Sequence, residues 1–97
     1  VTVVVWTEQA LDDVEAVRAF IARDSPRYAQ MTVERIVDSV ERLQRFPESG
    51  RVVPERGDPR IREILAGSYR IVYRLGHEAV EVLTVFHGAR LFPLLDA

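Results

Sequence analysis

A chain of 97 residues with a net charge of −2 and 47% hydrophobic residues is the size of a single domain, 1–97, with no room for a second core. It contains no cysteine, which excludes disulfide scaffolds, thiolate metal centres and cysteine nucleophiles together and fits a cytoplasmic location. The longest apolar run, Val3 to Trp6, falls far below the ~20 residues of a membrane-spanning helix, and no basic stretch leads into an apolar signal core, so neither a membrane nor secretion is expected.

Thr2-Val3-Val4-Val5-Trp6 is β-branched and short, which predicts a buried strand. Thr7 then reads as a helix N-cap with Glu8 placing negative charge in the first turn. Leu11, Val14, Val17 and Ile21, widened by Ala10 and Phe20, trace an apolar stripe, while Asp12, Asp13, Glu15 and Arg23 face out. Ser25-Pro26 starts a second helix, because serine caps one free amide and proline dispenses with another. Tyr28, Ala29, Val33, Ile36, Val40 and Leu43 form its stripe, and Phe46-Pro47 ends it. With almost no connection between them, the helices are expected to form an antiparallel hairpin.

Residues 47 to 59 are turn chemistry and predict one long loop. Three strand-like runs follow, Ile61 to Ala66, Tyr69 to Leu75 and Ala79 to Phe86, split by Gly67-Ser68 and Gly76-His77-Glu78. The predicted class is α+β in the order β-α-α-β-β-β: an antiparallel sheet, with the first strand paired into it, and a two-helix hairpin on one face. The tail Leu91-Phe92-Pro93-Leu94-Leu95 places four large apolar residues where fraying is usual, to be folded back on the core or held for a partner.

All thirteen basic residues are arginine. Arginine suits bidentate contact with carboxylate or phosphate, but a general codon preference would give the same composition, so position says more. Residues 1–24 hold five acids and two arginines, whereas 51–74 hold six arginines and three acids, which predicts a positive surface on the second half. On the run from Tyr69, alternation puts Tyr69, Ile71, Tyr73 and Leu75 against the helices and Arg70, Val72 and Arg74 on the opposite, uncovered face. In the last run Val80, Val82, Thr84 and Phe86 share one face and Glu81, Leu83, Val85 and His87 the other; both are largely apolar, so this strand is interior.

Arg62, Arg70, Arg74, His87 and Arg90 are therefore the candidate basic cluster on the open face and rim, with cross-strand pairing to Glu63, Glu78 and Glu81 as the alternative. His77 sits in a turn and reads as solvated. Cleavage of RNA by its own 2′-hydroxyl needs a base and an acid as well as a cation; Arg70 and Arg90 supply the cation, His87 could move a proton with Glu63 beside it, and a structural histidine at a strand end is the alternative. There is no glycine-rich phosphate loop, no metal-ligand spacing of histidine with acids, and no serine in a nucleophile setting, so no metal and no cofactor is expected.

Phe46-Pro47-Glu48-Ser49-Gly50-Arg51, Val53-Pro54-Glu55, Ile61-Arg62-Glu63, Ser68 to Arg74 and Val85-Phe86-His87-Gly88-Ala89-Arg90, in this order, resemble the ParE/RelE toxins of type II toxin–antitoxin pairs, the ParE branch most closely. That resemblance spans nearly the whole chain. It implies a toxin that either poisons DNA gyrase, as ParE-like members do, or cuts messenger RNA on the ribosome, as RelE-like members do. Arg70 and Arg90 fall on the two arginine positions of the RelE pattern, but the chain has no lysine, Gly88 stands where a tyrosine would follow His87, and no tyrosine occurs after Tyr73. Gyrase inhibition by binding is therefore the expectation, with target contacts at Arg62, Arg70, Arg74, His87 and Arg90. The alternatives are an endoribonuclease using Arg70, His87 and Arg90, or a non-toxic module that retains partner binding. The resemblance further implies a cognate antitoxin, ParD-like or similar, that wraps the toxin in a hetero-oligomer and contacts Leu11, Val14, Tyr28, Arg35 and Arg42.

Overall fold

Thr7 and Ser25 start the two helices by the same device. Each keeps an extended backbone and accepts a hydrogen bond from the amide three residues on, Ala10 and Tyr28 respectively. The computed structural model describes residues 2–93, in the order β1 (Val3–Trp6), α1 (Glu8–Ala22), α2 (Pro26–Glu41), β2 (Arg51–Val52), β3 (Ile61–Ala66), β4 (Tyr69–Leu75) and β5 (Ala79–His87). The helix pair and the meander match the expected α+β plan. One 3-10 turn, Arg42–Gln44, follows α2 and carries Leu43 into the core, so the regular helix stops five residues before Phe46.

The five strands form one sheet in the order β1-β5-β4-β3-β2. β1 runs parallel to β5 and the other pairs are antiparallel, which makes the sheet mixed where an antiparallel one was expected. The reason is topological: β1 reaches the sheet through the helical layer rather than a hairpin, so nothing forces it to reverse. β1 is also an edge strand, not a buried one. Val4 and Trp6 turn inward to the core, while Val3 and Val5 remain 60% and 46% exposed. Within the expected long loop, Arg51 and Val52 pair with Glu63 and Arg62 as a two-residue strand.

β5 is interior as expected, but its alternation breaks. Tyr73 pairs with Val82 and Val72 with Thr84, so Leu83 is the extra residue of a β-bulge. Val82 and Val85 consequently join the helix-side core with Ala10, Ile36, Val40, Ala66 and Ile71, while Leu83 and Phe86 join Val53, Ile61 and Val72 on the opposite face. Asp13, expected to face out, turns to the bulge instead: its Oδ2 accepts from the Thr84 hydroxyl at 2.5 Å and from the Val85 amide at 3.0 Å. The second bond satisfies a main-chain amide at the bulge, and the first a buried hydroxyl beside it.

The face expected to be uncovered therefore carries its own small core. Phe92 folds back on it, its ring edge-on to Phe86 with centroids 5.7 Å apart. Leu91 is exposed, whereas Leu94 and Leu95 lie outside the described residues.

Candidate functional site

Arg70 projects from β4 onto this second core. Its guanidinium lies 5.1 Å from the Phe86 ring centroid and 5.4 Å from that of Phe92. Nε donates to Glu63 Oε1 at 2.5 Å, and the two terminal nitrogens donate to the two carboxylate oxygens of Glu55, each at 2.8 Å. The side chain is 11% exposed and that of Glu63 is fully buried. Arg51 closes the set by donating to Glu63 Oε2 at 2.5 Å. Two arginines and two carboxylates thus neutralise one another, and the fork of Arg70 is filled from within the chain. The Glu55 bond holds Arg70 firmly protonated, above an arginine's usual range, even though burial opposes this.

Glu55 shows the reciprocal effect. Its hydrogen bonds from Arg70, helped by a backbone hydrogen bond, lower its carboxyl from 4.5 to about 2. A carboxylate depressed on folding stabilises the fold fully above its unfolded value and loses that contribution as pH falls through its folded value. Stability is accordingly expected to fall as pH drops from 4.5 toward about 2, and Glu55→Gln to flatten this part of a urea-midpoint against pH profile.

His87 and Arg90 lie elsewhere. His87 pairs across the sheet with Tyr69, not Arg70; its ring stands edge-on to Tyr69 at 5.5 Å, and its Nδ1 accepts from the Ala89 amide at 3.1 Å. Neighbouring residues of a strand point to opposite faces, so Tyr69 and His87 belong to the helix side while Arg70 belongs to the other. Together with Asp13, Val17, Phe20 and Arg90 they line a largely apolar cleft of about 350 Å³ between α1 and the ends of β4 and β5. The structure separates the predicted trio of Arg70, His87 and Arg90 into two environments on either side of the sheet.

The two remaining arginines are also engaged. Arg62 pairs with Tyr73 on the helix side, correcting its placement with Arg70, and donates to the carbonyls of Pro59, Glu48 and Gly50. Arg74 forms an ion pair with its cross-strand partner Glu81, the solvated alternative anticipated from the sequence. Arg62 and Arg70 thus stitch loops to the sheet, whereas His87 and Arg90 keep exposed side chains. Glu55 was the residue missed by sequence reasoning: it lies in a turn 15 residues before Arg70, and no periodicity links the two.

On the helices, Leu11, Tyr28, Arg35 and Arg42 are exposed, while Val14 packs partly against the core. No cluster of three or more histidines and acids that could hold a metal ion occurs among the described residues. No helix among them is long and apolar enough to cross a membrane.

Comparison with known proteins gives a consistent picture. A family model described as the ParE toxin of the type II toxin–antitoxin system parDE matches residues 4–92. The chain is 37% identical over 89 residues to the Y4kP protein of Sinorhizobium fredii, covering 91% of this chain and 90% of that one. It is 34% identical to Toxin RelE2 of Caulobacter vibrioides over 91% of this chain and 97% of the relative. A solved chain from the chromosomal ParDE system of P. aeruginosa superposes with a TM-score of 0.74 at 21% identity, covering 89% of this chain and 95% of that one, a likeness of fold.

Proposed function

Because the chain belongs to the ParE toxin family of type II toxin–antitoxin systems, we propose that it acts in the cytoplasm by binding and inhibiting DNA gyrase, and that a ParD-like antitoxin holds it inactive in a hetero-oligomer. Family membership itself implies a cognate antitoxin partner. The choice of a binding mechanism over RNA cleavage rests on one observation: the Arg70 guanidinium is held by Glu55 and Glu63 through all three of its nitrogens, with His87 on the other side of the sheet. The cleavage reading asks Arg70, His87 and Arg90 to converge on one phosphate, and Arg70 is kept on the other face of the sheet from the other two. Target contact is assigned instead to Arg90 and His87 at the mouth of the α1 cleft, where an arginine with no ion pair among the described residues stands beside apolar surface and suits an anchoring contact.

Purified chain is expected to inhibit supercoiling by gyrase and to accumulate cleaved DNA. Arg90→Ala should weaken that inhibition at least about tenfold with an unchanged melting temperature, since Arg90 is exposed. Unaltered gyrase activity together with ribosome-dependent cleavage of messenger RNA would overturn the proposal in favour of the nuclease reading.

A further inference from the structure

β1 leaves one side of its backbone without a strand. The amides of Val3 and Thr7 donate to the Glu78 and Val82 carbonyls, so these residues, and Val5 between them, turn their main-chain groups toward β5. Val4 and Trp6 turn theirs outward. That outer side is closed at Thr2, whose amide donates to the Gln44 carbonyl of the 3-10 turn at 3.0 Å, and no strand lies along the rest of it among the described residues. The strand carries no charge and no proline, the usual guards of an exposed edge.

Two outward residues spaced by one ask for a strand that offers donors and acceptors at the same spacing. A second copy of β1 running antiparallel does so in one register. With the two-fold axis at Val5, Val4 lies opposite Trp6 of the second copy, and each such pair exchanges two hydrogen bonds. Centring the pair on Val4 would call on Thr2, already bonded to Gln44, and centring it on Trp6 would call on Glu8, which is helical.

The same axis sets the Thr2 end of one copy beside the Thr7 end of the other, and so the 3-10 turn beside the start of α1. These ends are complementary. Around the turn stand Arg42, Arg45 and the exposed Phe46, and at the start of α1 stand Glu8, Asp12 and the exposed Leu11. None of the four charged side chains has an ion pair among the described residues. Acid would meet arginine and Leu11 would approach Phe46, each contact made twice. We infer that a second copy of this chain pairs along β1, antiparallel and about Val5, so that the two sheets become one.

The test uses the full chain, whose lack of cysteine makes an introduced thiol unique. In this register the two copies of Val5 form a non-hydrogen-bonded pair with Cα atoms about 4.5 Å apart, within disulfide reach. Val3 instead lies opposite Thr7, about 14 Å from its own copy. Val5→Cys is therefore expected to cross-link at least about tenfold faster than Val3→Cys under the same mild oxidant, although Val3 is the more exposed of the two. Sedimentation equilibrium of the unaltered chain should show a dimer forming between about 1 μM and 1 mM, as suits a small interface. Folded Val5→Lys, with like charges meeting on the axis, should dimerise at least about tenfold more weakly. A chain that stays monomeric throughout that range overturns the inference. Equal cross-linking at the two positions, or a dimer that tolerates Val5→Lys, overturns it as well by placing any association on another surface.

Discussion

Arg70→Ala is expected to lower the free energy of unfolding by about 3–5 kcal/mol, the cost of leaving a buried charge without its partner. The charge left behind is Glu63, whose side chain is fully buried and would keep just the exposed Arg51. Glu55 would lose both of its bonds at once, and the Phe86 and Phe92 rings would lose the flat cation between them. Urea unfolding of the single variants and of the double variant with Glu63→Gln gives the decisive cycle. Because the amide carries no charge, the double variant should lose clearly less than the sum of its two parts. An Arg70→Ala protein as stable as the parent yet inactive on its target would instead identify Arg70 as a contact residue. The contrast with Arg90→Ala, expected to affect inhibition and not stability, separates the two arginines that the family pattern groups together.

Gly50→Ala is expected to cost about 3 kcal/mol in stability, seen as a fall in Tm of about 10–20 °C for a domain of this size. Gly50 is buried where the chain turns from the 3-10 region into β2, and space rather than backbone angle demands glycine. A Cβ there would lie 2.6 Å from the Glu63 carbonyl oxygen and 2.6 Å from the Tyr73 hydroxyl. Neither neighbour can yield freely, since the first belongs to the β2–β3 pairing and the second both receives the Gly50 amide and donates to the Pro47 carbonyl at 2.7 Å. Gly57→Ala is the control: φ is +63° with nothing within 4 Å, so the backbone cost alone, about 1–2 kcal/mol, should appear. Equal losses at the two positions would show that crowding at Gly50 relaxes away.

The likeness of this chain to ParE-family toxins leaves its own charges to decide how the scaffold is used. Its second face is closed by Phe92 and by Glu55, which lies across Arg70. Competition for Arg70 by an external carboxylate or phosphate would have to displace a bidentate pair. Arg35, Arg42 and Arg90 have no ion pair among the described residues, which is why the proposed target contact falls on Arg90 rather than Arg70.

What the sequence determined by itself is local. Thr7 and Ser25 cap helices, Pro26 fits a first helical turn, Gly67-Ser68 closes a hairpin, and the apolar spacing of Ile36 and Val40 marks the buried side of α2; each signal acts within a few residues and is written in them. Side-chain direction in β5 was legible as far as Val82 and was then reversed by the bulge at Leu83, which depends on the pairing of two strands and leaves no mark in either alone. Tertiary structure likewise decided the fate of the arginines. Whether Arg70 is a free cation depends on Glu55, brought to it from 15 residues away by the loop that Gly50 seats, and the energy of a charge is set by what lies next to it in space rather than along the chain.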